Sequence, residues 1–242
     1  MTLIKHAVNQ LLWPAVCIVC KRSISEDDNG LCRDCWQEML ACTSGDYCPR
    51  CGRNVSGYSI IEGICANCRA EKFHFDAIAR SGIYTKAMQQ MILAFKNGKT
   101  ELDHILTFLA NSALQNSSFY NNIDIFIPVP LHWLKRLIRG YNQSFITARN
   151  LNHPKAKVST DLVRVRYTKS QPSMASFTQR ARNVRDAFAV RRGHKFAGRN
   201  ICLVDDIKTS GATLNECAKV LKDAGASRVF ALVLAVAGQT IS

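Results

Sequence analysis

Two sets of side chains in this 242-residue chain could do chemistry. The first is the carboxylate pair Asp205 and Asp206, followed by Thr209, Ser210, Gly211, Ala212 and Thr213. An apolar run (ICLV, 201–204) leads into the pair, and a helix is expected from about Gly211 to Ala224. A helix start offers unpaired N–H groups and partial positive charge, which suit a phosphate. Gly211 lets the backbone approach an anion, and the three hydroxyls add donors. Adjacent carboxylates are poor neighbours for phosphate but good acceptors for sugar hydroxyls. The turn therefore fits a ligand with a phosphate at one end and a ribose beside it. A capped helix after a strand would explain the hydroxyls, but not two charges ending an apolar strand.

The second set is cysteine. Nine of the eleven cysteines lie within the first 68 residues, and eight of those form C-x-x-C pairs: Cys17 and Cys20, Cys32 and Cys35, Cys48 and Cys51, Cys65 and Cys68. Two intervening residues let one tight turn aim both sulfurs at one ion, and zinc takes four thiolates tetrahedrally. The spacing predicts about two structural zinc ions with no open coordination position. Sequential pairing of the knuckles is simplest, and interleaved pairing stays open. A reducing compartment argues for metal over disulfides. Four such pairs without a thioredoxin-like context do not suit redox work. Cys42 is left over and reads as a free thiol, while Cys202 and Cys217 read as core.

The formal charge is +14. Residues 1–72 hold eight basic and eight acidic side chains, so residues 73–242 carry the whole excess, 24 against 10. A domain this basic calls for polyanionic partners, whether phosphorylated small molecules or nucleic acid. One candidate nucleic-acid cluster is Arg180, Arg182, Arg185, Arg191 and Arg192, with Phe177 nearby. A second is Lys135, Arg136 and Arg139, with Trp133 and Tyr141 available to stack on bases. The competing reading places the arginines in a ligand pocket.

The elements that must hold these groups follow from pattern. Residues 1–72 show no helix-length periodicity, so metal must stand in for a core. They read as a small cysteine-knuckle domain with a core separate from that of residues 73–242. Beyond residue 73, strands are expected over 77–84, 123–129, 162–167, 200–206 and 228–237. Two helices divided by Gly98 lie between the first two strands, and another is expected from about His132 to Leu151. Strands alternating with helices predict an α/β domain with a parallel sheet. No run reaches the ~18 apolar residues that would span a bilayer. The start lacks a clear signal-peptide pattern. A cytoplasmic protein without stable membrane insertion is expected.

ICLVDDIKTSGAT (201–213) resembles the phosphoribosyl pyrophosphate (PRPP) signature of type I phosphoribosyltransferases. The resemblance implies a PRPP site with Asp205 and Asp206 as catalytic, ribose-holding residues, residues 209–213 (Thr209, Ser210, Gly211, Ala212 and Thr213) around the 5-phosphate, and Lys208 among the PRPP-binding residues. IPVPLH (127–132) resembles the pyrophosphate loop of amidophosphoribosyltransferases, which brings in Val129, Pro130 and Leu131, with magnesium accompanying PRPP. That family carries an acidic residue where this chain has Leu131-His132. The implied mobile hood is about 164–185. PVPLHWLKRLIRGYNQS (128–144), YTKSQPSMASFTQRARNVRDAF (167–188) and VDDIKTSGAT (204–213), with LLWPAVCIVC and CPRCG, together resemble the ComF family of competence proteins. That resemblance implies a double zinc ribbon (zinc finger) before the phosphoribosyltransferase domain. It also implies handling of incoming single-stranded DNA in natural transformation, beside a helicase-like ATPase at the inner membrane. The alternative is a housekeeping phosphoribosyltransferase of nucleotide synthesis or salvage. No glutaminase domain or base-recognition motif is evident, and transfer chemistry and its acceptor stay open.

Overall fold

The computed structural model describes residues 15–25, 30–56, 59–168 and 177–238. Five strands form one parallel sheet in the order β3-β9-β8-β4-β5. They are β3 (Ala77–Ile83), β4 (Ile125–Pro128), β5 (Lys157–Val158), β8 (Asn200–Lys208) and β9 (Arg228–Val236). Two short antiparallel pairs lie outside it: β1 (Ile60–Ile61) with β2 (Ile64–Cys65), and β6 (Leu162–Arg164) with β7 (Phe188–Val190). The expected parallel α/β sheet is present, and the 162–167 run joins the separate ribbon instead of the sheet. LVRVRY alternates apolar with charged side chains, which suits a half-exposed ribbon and not a strand buried on both faces, and its antiparallel partner follows the arginine-rich segment.

Eight α-helices lie among the described residues, beside two single-turn 3-10 helices (Thr100–Leu102 and Tyr120–Asn122): α1 (Arg33–Thr43), α2 (Ala66–Ala70), α3 (Lys86–Lys96), α4 (Asp103–Gln115), α5 (Trp133–Arg139), α6 (Gln143–Asn150), α7 (Phe177–Val184) and α8 (Ala212–Asp223). The helix expected over 132–151 is two helices. Gly140, at φ 82°, ends α5 in a left-handed turn, and Asn142 caps the start of α6. α1 is a helix where none was expected. It starts inside the second knuckle and buries Cys35, Met39 and Cys42.

Central strands β8 and β9 are buried on both faces, and their side chains divide between them. Cys202, Val204, Phe230, Leu232 and Leu234 join the core on one face, and Ile201, Leu203, Val229, Ala231 and Val233 join the core on the other. The cysteine-rich segment belongs to both. Cys17, Cys35, Met39 and Cys42 pack in the first core with α3 and α4. Cys48, Cys51, Cys65 and Cys68 pack in the second with Phe73, Phe75 and α8 residues. The expectation of separate cores is therefore corrected. The segment has too little apolar surface to close a core of its own, and the sheet supplies the rest. Polar contacts join the same surfaces. The Ile78 N–H donates to the Pro49 carbonyl at 2.8 Å. Buried Arg80 donates to the Gly52 carbonyl at 2.7 Å and lies 4.7 Å from the Tyr47 ring centroid. A Cβ on Gly82 would meet the Cys42 carbonyl oxygen at 2.8 Å, so only glycine lets α1 approach β3 this closely.

Candidate functional site

The carboxylate pair sits in β8, where the strand emerges between β4 and β9. This is the position at which parallel α/β sheets present ligand-binding groups. The Asp205 carboxylate accepts from the Ser144 hydroxyl at 3.2 Å and from the Asp206 N–H at 3.0 Å. Burial, and then the neighbouring Asp206 charge, push its pKa up to about 7. Asp206 is paired with Lys96 of α3, Nζ to Oδ2, at 2.7 Å. The pair is therefore not two free negative charges. One acid is held toward its neutral form and the other is matched by an ammonium.

After the pair the chain turns through Thr209 and Ser210 to Gly211, which has φ 81° and precedes α8. That left-handed conformation suits glycine, and it lets the first helical N–H groups face the turn. The Ser210 hydroxyl accepts from the Ala212 N–H at 3.3 Å. Thr209 is exposed, Ser210 and Thr213 are half-buried, and Ala212 is buried. Lys208, expected among the PRPP-binding residues, is buried. Its side chain is 1% exposed, with Nζ 5.7 Å from the Phe73 ring centroid, beneath Gly211. Burial pushes its ammonium pKa down, while the Cys51 and Cys68 sulfurs and Glu71 oppose that shift.

The Val129, Pro130 and Leu131 loop leaves β4 beside β8, with the Val129 N–H bonded to the Val204 carbonyl at 2.9 Å. Asn142 fixes it from the other side, donating to the Val129 carbonyl at 3.1 Å while its Oδ1 accepts from the Ser144 N–H at 3.1 Å. Where the amidophosphoribosyltransferase pattern has an acidic residue, His132 is buried and caps α5 through Nδ1. Sequence reasoning missed Lys96, Asn142 and Ser144. Each is an ordinary polar residue in its own segment and gains meaning only when the sheet brings it to β8 or β4.

The two basic clusters are not laid out as the sequence grouped them. Arg136 and Arg191, one from each, line the same cavity of about 650 Å³, together with Arg164, Trp133 and Tyr141. Arg139 donates to Gln143 at 2.7 Å, and Lys135 is half-buried 6.0 Å from the Tyr167 ring centroid. Arg182, Arg185 and Arg192 are exposed, and Arg180 is half-buried. The expected hood, 164–185, includes residues 169–176, which lie outside the described residues, as does the Phe177 side chain.

Among the described residues there are two tetracysteine clusters: Cys17, Cys20, Cys32 and Cys35, and Cys48, Cys51, Cys65 and Cys68. This is the sequential pairing. Within each, the sulfurs lie within 4.8 Å of one another, with closest separations of 3.6–3.7 Å. A tetrahedron with metal–sulfur bonds of about 2.3 Å has edges of about 3.8 Å, so the donor type and spacing fit zinc. Both are structural zinc-binding sites, in which the metal would cross-link two knuckles. Around the first, Arg22 donates to Cys20 at 3.3 Å and pairs with Asp34 at 2.6 Å. In the second, the Cys65 N–H donates to the Cys48 sulfur at 3.4 Å. Cys42 lies outside both clusters, buried, with its thiol donating to the Met39 carbonyl. Cys202 and Cys217 are core residues.

A double zinc ribbon domain model matches residues 8–69. Competence protein F of Haemophilus influenzae is 28% identical over 220 residues, covering 88% of this chain and 93% of its own. DNA utilization protein YhgH of Salmonella typhimurium is 27% identical, covering 90% and 96%. Competence protein ComFC of Bacillus subtilis is 25% identical, covering 87% and 90%. Among solved structures, the glutamine PRPP amidotransferase of B. subtilis aligns with 54% of this chain and 26% of its own, at 22% identity and a TM-score of 0.33. No helix among the described residues is long and apolar enough to cross a membrane.

Proposed function

From its similarity along most of its length to competence and DNA utilization proteins, we propose that this chain is a ComF-type, PRPP-binding competence protein that handles incoming single-stranded DNA during natural transformation. The observation that carries the ligand reading is the Asp205–Asp206 pair at the end of a central parallel strand, running into a left-handed Gly211 and the start of α8. In this reading the carboxylates take the ribose hydroxyls and the turn 209–213 takes the 5-phosphate. The loop at Val129, Pro130 and Leu131 faces the pyrophosphate with its magnesium. The Lys208 side chain supports the turn from beneath. Residues 1–72 act as the ribbon unit and 73–242 as the phosphoribosyltransferase-like unit, in the cytoplasm beside a competence ATPase at the inner membrane face.

DNA would meet the basic surface, through exposed Arg182, Arg185 and Arg192 and through the cavity lined by Arg136, Arg191 and Trp133. The experiment for the ligand is a thermal shift with PRPP and magnesium, because a ligand bound only by the native state stabilises it. Asp205→Ala with Asp206→Ala should abolish most of the shift, and Thr213→Ala should reduce it less. A double variant that binds PRPP as tightly as the parent would reject the ribose assignment. A product assay with PRPP and a panel of bases decides whether transfer accompanies binding.

A further inference from the structure

Lys96 ends α3 within Phe95-Lys96-Asn97-Gly98-Lys99, a run to which no motif assigns a role. Its Nζ lies 2.7 Å from Asp206 Oδ2, with the two side chains only 19% and 16% exposed. Among the described residues it is the one cation in ion-pair contact with either carboxylate of the pair.

The placement is held from several directions. The Tyr141 hydroxyl donates to the Phe95 carbonyl and accepts from the Gly98 N–H at 3.1 Å, and the Tyr141 ring lies 6.1 Å from that of Phe95. Tyr141 belongs to the α5–α6 link, next to the Asn142 that fixes the Val129 carbonyl and three residues before the Ser144 that donates to Asp205. One short link thus ties the end of α3 to both halves of the candidate site.

Charge then assigns the lysine a task. A ligand bearing ribose and a diphosphate brings several negative charges to a place that already holds two carboxyl groups. Ribose hydroxyls can replace the ammonium as donors to Asp206. An ammonium has three N–H donors, and two can turn elsewhere even while one stays on the carboxylate. We infer that Lys96 is a ligand-contacting residue: it neutralises Asp206 in the empty site and donates to the diphosphate once the ribose occupies the carboxylates. The inference rests on the PRPP reading above.

PRPP and ribose 5-phosphate share the ribose and the 5-phosphate and differ in the diphosphate, so they isolate the contact. Calorimetric affinities for both are measured at fixed magnesium on the parent, Lys96→Met and Lys96→Arg, with Lys96→Gln in reserve against misfolding. Loss of a hydrogen bond between charged groups should weaken PRPP binding by about tenfold or more in Lys96→Met. Ribose 5-phosphate affinity should stay within about twofold, and Lys96→Arg should recover most of the PRPP affinity. Equal losses for the two ligands, or unchanged PRPP affinity in Lys96→Met, would overturn the assignment and leave the PRPP reading intact. A parent that binds neither ligand would remove both together.

Discussion

At the scale of single residues, Asp205 makes the most direct prediction. Its folded pKa of about 7 stands above the ordinary carboxylate value of about 4. The folded state therefore keeps this proton to higher pH than the unfolded chain does. Stability of the ligand-free protein should fall as pH rises from about 4 to about 7, and this contribution should level off above that. Asp206, Lys96, Arg164 and the Ser144 hydroxyl act on the group, and burial dominates them. Asp205→Asn should flatten the slope and raise the melting temperature at pH 8 while destroying PRPP binding. Melting curves at pH 5 and pH 8 check it, and an unaltered slope would mean that Asp205 ionises normally. The residue types of this site were legible in the sequence, because two acids ending an apolar strand before Thr-Ser-Gly have little other use. Lys96 and Ser144 were not legible, since their partners lie far along the chain and neither segment carries a distinctive pattern.

At the scale of elements, strand–turn–helix order was readable wherever hydrophobic period and a glycine agreed, as at 200–224. It failed where one residue overrode the pattern. Gly140 splits an otherwise continuous helical stretch, and α1 grows from a knuckle whose helix face is built partly of cysteines. The contact between α1 and β3 is testable at Gly82. A methyl group there meets a backbone oxygen at 2.8 Å, which cannot rotate away. Gly82→Ala should destabilise the protein by about 1–3 kcal/mol, the range for overpacking, as read from urea midpoints. Gly63 has open space around its Cβ position but φ 79°, so Gly63→Ala tests backbone strain alone. If Gly82→Ala costs no more than that control, the close approach is not tight. Arg80→Met should also destabilise, by about 1–3 kcal/mol, because it leaves the Gly52 carbonyl without its donor and the Tyr47 ring without its cation.

For the molecule as a whole, the cysteine segment and the sheet should unfold as one unit. A strong chelator, or Cys48→Ser, should lower a single cooperative transition instead of producing a separate early one, because zinc binding to the folded chain contributes to its stability. Two resolved transitions in calorimetry would contradict the shared cores. The basic surface makes a different global prediction. Single-stranded DNA affinity should drop steeply with salt, and reversing charge at Arg191 and Arg192 should flatten that slope while PRPP binding persists. Loss of PRPP binding with DNA affinity unchanged would place these arginines in the ligand pocket. The shared-core arrangement has one more consequence. β3 is an outer strand of the sheet, and the cysteine segment lies along it, taking the Ile78 N–H and pressing against Gly82. Uncovered edge strands invite pairing with other chains. Zinc stripped from the protein should therefore favour edge-to-edge self-association as the single transition is crossed, visible as soluble oligomers by light scattering at the lowered midpoint, with zinc acting in effect as the guard of an open β-edge.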